Sequence, residues 1–429
     1  MVAGLSALVA IASVAREAVV AATLGNSVEL EASLICLLFP MLMANAFANT
    51  YSGSIVPLLS RARQGATNAI GEHGVISTSI RRLISWYIVG AAVGWLTWTM
   101  LSPHLFPQRV LHWFPWQSGV VALLAVGGAF LVAGRALAAI LVYQERYLIS
   151  AIVQSIPPLS VVFACLGSVR LGFLNSLLLG SLIGWFIQFI IAATLVAAFY
   201  RAIDADRVTG EQPKGDREQY GRQFWALFVG VAILLTLDWV ETGFAAALGP
   251  GALVPVTLAS RLCALIAGFS AAGITAALVS RKMAEDLAKP GYSSKAMARV
   301  EKIILIGSIA LAAVVAWFSN DIATSIFAYG KITARDSSVV ASLLTIYAFA
   351  IPPVCVGVFY GRLLSMAGHS VELTSGAAAT VATVVLTNWL LQVPLGINGI
   401  PVAYCLGFLV SAIWLRLRLT HHNNGEAGT

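Results

Sequence analysis

Two arginines stand where lipid should be. Arg16 lies inside the apolar run 2–24 and Arg261 inside the run 253–279. A cation at the bilayer centre costs about 2.5–3.5 kcal/mol on insertion scales, so it is retained only when it faces a bundle interior or a water-filled cavity. What a guanidinium offers there is bidentate binding of phosphate or carboxylate. Arg16 is followed by Glu17, and Glu31 stands just inside the next apolar run. Adjacent helical residues point about 100° apart, so Arg16 and Glu17 need not pair with each other. Asp238 and Glu241, three apart in the run 224–244, share one helical face. Two carboxylates so placed can take a monovalent cation or hold a shared proton, which gives Na+ or H+ coupling without any cofactor. Asn388 and Gln392, four apart in the run 373–391, add neutral oxygens that could complete a cation site.

Each group also has a plainer reading. Arg16 and Glu17 fit a buried charge network that only holds helices together. Glu31 fits an interface position. Asp238 and Glu241 fit a solvated pair near the outer end of their span, and the amides fit bonds across helices. Arg135 and Arg362 lie nearer the cytoplasmic ends of their spans and read as snorkelling side chains. Arg261 has no acid beside it in sequence, so its partner must come from another helix or from a ligand.

The elements that must position these groups are helices. The 429 residues are 59% hydrophobic and 10% charged, against roughly 25% charged in a soluble domain. Apolar windows of about 20 residues recur along the whole length, unlike the short alternating strands of a barrel. They predict an all-α integral membrane protein with twelve spans at 2–24, 32–59, 83–101, 120–142, 149–168, 174–199, 224–244, 253–279, 303–318, 339–364, 373–391 and 401–419. Pro57, Pro157–Pro158 and Pro352–Pro353 are the kink positions. Of 26 Lys and Arg residues, eighteen fall on one side, from Arg61 to Arg418, and four on the other (Arg109, Arg170, Lys331, Arg335). The positive-inside rule then puts both termini in the cytoplasm. The net charge of +7 belongs to the cytoplasmic side and needs no nucleic acid.

The most polar segment, 201–222, separates six spans from six, giving lobes at 1–200 and 223–419 and a polar tail at 420–429 that holds His421–His422. The halves echo each other. Leu24–Gly25 precedes a long span ending Leu59-Ser60-Arg61, and Leu248–Gly249 precedes one ending Val279-Ser280-Arg281. Gly134–Arg135 is matched by Gly361–Arg362. Copies with an even number of spans share one orientation, so a pseudo-two-fold along the membrane normal relates the lobes, with the binding site between them. Cys36, Cys165, Cys263, Cys355 and Cys405 all fall in apolar runs without metal spacing and read as small buried residues. There is no Walker loop and no His/Cys ligand set, so the chain reads as a carrier rather than an enzyme.

Residues 15–57 resemble the MurJ/MviN family of lipid II flippases, in the multidrug/oligosaccharidyl-lipid/polysaccharide exporter superfamily. The resemblance runs through Arg16-Glu17, Leu24-Gly25, Glu31-Ala32-Ser33, Pro40-Met41, Phe47-Ala48-Asn49-Thr50 and Ile55-Val56-Pro57. It continues at Leu248-Gly249-Pro250-Gly251, Ala259-Ser260-Arg261-Leu262, Phe327-Ala328-Tyr329-Gly330 and 362–368. It implies a pair of six-helix lobes that carries a polyprenyl-pyrophosphate-linked saccharide from the inner to the outer leaflet by alternating access. Arg16 and Arg261 would bind the pyrophosphate, with Glu17 and Glu31 as acidic companions; Glu241 and Asn388 would match a sodium site. The chain departs from the family at Ala44–Asn45, where an Arg pair is usual, at Asn49 for Glu, and at Gln392 for a carboxylate. Typical members also add two C-terminal helices after the point matching Leu419.

The expectation is a multi-pass protein of the bacterial inner membrane that carries lipid II or an exopolysaccharide precursor, working beside the cell-envelope glycan synthesis machinery. The alternatives are a cation-coupled drug or organic-ion antiporter with an acidic cavity around Glu17, Glu31 and Asp238, and a scaffold that recruits partners through basic loops.

Overall fold

The computed structural model describes residues 2–65, 69–105, 117–144, 146–167, 173–204, 214–278, 294–366 and 369–426. Arg109, Arg170, Arg207, Arg281, Lys282, Lys289 and Gly368 lie outside them. Every regular element described is helical: α1 (Val2–Leu24), α2 (Val28–Gly65), α3 (Ala69–Leu105), α4 (Gln117–Tyr143), α5 (Tyr147–Leu166), α6 (Phe173–Asp204), α7 (Lys214–Leu248), α8 (Leu253–Leu278), α9 (Ser294–Trp317), α10 (Ser319–Phe327), α11 (Ala334–Tyr347), α12 (Ile351–Met366), α13 (Ser370–Leu395) and α14 (Gly399–Glu426). In hydrocarbon no water serves the backbone, and a helix satisfies its N–H and C=O groups internally. Nine segments of the described residues are long and apolar enough to cross a membrane. One of them, Ala334–Leu364, holds α11 and α12, and another, Val371–His421, holds α13 and α14. The predicted spans 2–24 and 83–101 fall on α1 and α3. Phe163, Trp389 and Val393 are exposed, which is a hazard in water but is ordinary solvation in lipid.

Helix bounds differ from the hydropathy reading in three places. The expected linker is helical at both of its described ends: α6 runs to Asp204 and α7 starts at Lys214. The expected tail is helix as far as Glu426, because no glycine or proline interrupts α14 between Pro401 and Gly425 except Gly407, which packs against Val384 and Thr380. The short α10 carries no span-length hydrophobic run to announce it. Of the prolines, Pro157 and Pro158 lie within α5 without ending it. Pro352 and Pro353 follow a 3-10 turn, Ala348–Ala350, that separates α11 from α12.

The chain forms two compact units. The N-terminal unit holds Ile11–Val20 and Val28–Leu235; the C-terminal unit holds Met1–Ala10, Ala21–Ser27 and Thr236–Thr429. In the N-terminal unit α4 packs on α2, α3 and α6, and α5 packs on α6. Gly180 and Gly184 of α6 bring it close to α5. A Cβ on Gly180 would sit 3.0 Å from Val161 Cα, and one on Gly184 2.8 Å from Pro157 Cα. Small residues four apart permit such close approach between membrane helices. In the C-terminal unit α13 packs on α14, α14 on α12, and α8 on both α11 and α12.

Three turns meet at one end of the C-terminal unit. Lys331 N donates to Ala22 O at 2.9 Å. Asn26 Nδ2 donates to Gly251 O at 3.2 Å and to Asp336 Oδ1 at 3.0 Å. Asp336 and Thr333 form the capping box that opens α11. Gly330 takes φ +71°, and a Cβ there would lie 2.2 Å from Ala22 O. Gly330→Ala is therefore expected to lower stability by about 1–3 kcal/mol through backbone strain and displacement of the α1 turn. A lower melting temperature of the detergent-solubilised variant checks this, and an unchanged one refutes it.

Candidate functional site

In the N-terminal unit the candidate charged residues Arg16, Glu17, Glu31 and Arg135 stand on α1, α2 and α4. Arg16 and Glu17 form an ion pair on α1, with Glu17 buried and Arg16 only a quarter exposed. Their Cα–Cβ bonds diverge, as the sequence reading supposed; the long arginine side chain wraps along the helix surface and closes the gap. Glu31 is 2% exposed. It lies in the first turn of α2, where the N-terminal backbone dipole favours a carboxylate. Arg135 does not snorkel: it is half-buried, and its Nη1 donates to Asn45 Oδ1 of α2. Arg362 is exposed.

The C-terminal unit gathers a second set on α7, α8, α11 and α14. Glu241 is 5% exposed and accepts a hydrogen bond from Tyr347 Oη at 3.1 Å. This buried, bonded carboxylate is not the solvated outer-end group of the plainer reading. Ser260 Oγ, 3.2 Å from Thr257 O, stands beside the same carboxylate. Asp238, one turn back on α7, is exposed and interacts electrostatically with both Glu241 and the half-buried Arg261 of α8. The acid that Arg261 lacks in sequence is thus supplied by another helix. Tyr404 packs edge-on against Tyr347, ring centroids 5.3 Å apart. Cys263 Sγ donates to Tyr347 O at 3.2 Å and Cys405 Sγ to Ile346 O at 3.3 Å; Cys263 is buried, as expected, whereas Cys405 is only half-buried. Asn388 is buried, but its Nδ2 donates to Val384 O of its own helix at 3.0 Å. Among the described residues no three His, Cys, Asp or Glu side chains gather to hold a metal ion.

The sequence reading missed Tyr347, Tyr404 and Ser260. A phenol inside an apolar run is a weak signal, since a tyrosine carries an apolar body with one polar tip that needs a partner when buried.

Lipid-length helices with paired acids and guanidinium groups inside them define a multi-pass membrane transporter. The sequence profile of the family described as "Lipid II flippase MurJ" matches residues 20–427, and the chain belongs to that family. No curated protein matches the chain. A solved structure of lipid II flippase MurJ in an inward closed conformation is similar to it, with TM-score 0.77 and 16% identity over 98% of this chain and 87% of that one. An inward-facing multidrug resistance MATE family transporter of the MOP superfamily follows at TM-score 0.69, 14% identity and 98% of each chain. A eukaryotic MATE transporter gives 0.66 and 13%, over 97% of this chain and 95% of that one. At these identities the structures speak for the fold, and the profile speaks for the family.

Proposed function

We propose that this protein flips a polyprenyl-pyrophosphate-linked saccharide, lipid II or an exopolysaccharide precursor, from the inner to the outer leaflet of the bacterial inner membrane by alternating access. The observation that carries the reading is a guanidinium within an apolar helix of each unit, Arg16 and Arg261, each beside a carboxylate that balances it when no substrate is bound. An incoming pyrophosphate competes with those carboxylates for the guanidinium forks, so binding and release stay in balance. The reading includes twelve spans in two six-helix lobes, 1–200 and 223–419, and cytoplasmic termini. Asp238 and Glu241 would take the coupling ion, Na+ or H+, with Asn388 in the same unit. Enzymes of cell-envelope glycan synthesis would supply the substrate.

The acidic pair and the MATE-like fold favour a second reading, a cation-coupled drug or organic-ion antiporter. That reading makes the acids essential and the arginines dispensable. Purified protein in proteoliposomes with a fluorescent polyprenyl-pyrophosphate disaccharide separates the two. Protein-dependent loss of inner-leaflet label, reduced by Arg16→Gln, is expected. Folded protein that leaves the lipid in place while exchanging an organic cation would overturn the flippase reading.

A further inference from the structure

We propose that Arg135 is a third phosphate-binding cation, acting beside Arg16 on the pyrophosphate of the carried lipid. The inference rests on the flippase reading and extends its site to a residue that sequence reasoning set aside.

The position of Arg135 excludes snorkelling. It lies eight residues before the end of α4 at Tyr143, about 12 Å of helix at 1.5 Å per residue. Its side chain is tied to Asn45 of the neighbouring α2. Asn45 is a neutral amide, so it takes up one N–H and none of the charge. Arg16 acts on Arg135 with a charge of like sign. Arg16 already has its carboxylate in Glu17. The N-terminal unit therefore holds two half-buried guanidinium groups within electrostatic reach of each other, and among the described residues the hydrogen bond of Arg135 goes to an amide.

Like charges brought together away from bulk water are costly unless an anion shares them. A guanidinium carries five N–H donors, and Arg135 spends one on Asn45. The others can fork onto a phosphate oxygen pair. The Asn45 amide thus holds the fork in place without neutralising it. A carboxylate at that position would quench the site, and an apolar residue would leave the arginine free to swing away.

The test uses the purified full-length protein with farnesyl pyrophosphate as the probe and farnesol as the uncharged control. Arg135→Gln is expected to weaken farnesyl pyrophosphate binding about ten- to hundred-fold, with farnesol binding unchanged. Asn45→Asp keeps Arg135 and adds an ion pair, so it is expected to fold at least as well and still lose affinity by a similar factor. This second variant keeps the test decisive if Arg135→Gln folds poorly. Arg135→Lys, which keeps the charge and loses the fork, is expected to fall between. If Arg16→Gln weakens binding while Asn45→Asp and Arg135→Gln bind as the unaltered protein does, Arg135 is a helix cross-link and the proposal is overturned alone. If the unaltered protein does not distinguish farnesyl pyrophosphate from farnesol, the flippase reading falls with it.

Discussion

Arg261→Glu is expected to reduce flipping of the lipid-linked saccharide at least about a hundred-fold in proteoliposomes. Removing one charged hydrogen-bonding partner costs about 1.5–3 kcal/mol, and each 1.4 kcal/mol is tenfold. Reversing the charge adds repulsion toward the phosphate, which carries the loss beyond what deletion alone produces. The exchange also leaves Asp238 and Glu241 beside a third carboxylate, and one of the three would take up a proton. A melting curve should accompany the assay for that reason. Arg261→Gln removes the fork without adding charge and is expected to lose about tenfold. Flipping by Arg261→Glu at the unaltered rate would remove Arg261 from the substrate site.

Glu241→Gln is expected to slow transport about ten- to hundred-fold and to abolish its response to an imposed Na+ or H+ gradient. The amide preserves the volume and still accepts from Tyr347, so packing on α7 and α11 survives while the charge is gone. Tyr347→Phe is the complementary change. It leaves the carboxylate but removes the 3.1 Å donor, and the loss of that bond to a buried charged acceptor, which keeps Ser260, should cost about 1–3 kcal/mol of stability. Its transport defect should be smaller than that of Glu241→Gln, with gradient dependence retained. Flux measured at several gradient magnitudes decides between them. A Glu241→Gln protein that still follows the gradient would move ion coupling to another group.

The sequence made the spans and the buried charges legible because both rest on large energies. A run such as 253–279 is readable against water, and Arg261 within it is readable against lipid. Geometry was harder. Arg16 and Glu17 pair despite diverging Cα–Cβ bonds because a flexible four-atom stem can cross a helix surface. Arg135 was misread because depth along a helix and side-chain direction are independent, and only the fold shows Asn45 on the facing helix. The carboxylates of α7 were found from their spacing, whereas Tyr347, about a hundred residues away, is joined to Glu241 by tertiary packing alone. The motifs at Gly25, Gly251 and Gly330 looked like separate family blocks. In three dimensions the first turn contacts the other two, through Lys331 N to Ala22 O and Asn26 to Gly251 O.

The interruption between α11 and α12 has a mechanical meaning. Pro352 and Pro353 have no N–H to give, so the carbonyls of Ala348 and Phe349 lack their usual donors one turn later. Ile351 N takes the Ala348 carbonyl instead, in the tighter 3-10 pattern. A rod with missing rungs flexes there before it flexes anywhere else. Tyr347 is the last residue of the intact portion and carries the bond to Glu241. The softest joint in that rod thus begins one residue from the tyrosine that holds the buried carboxylate, where filling or emptying a cation site would exert its pull.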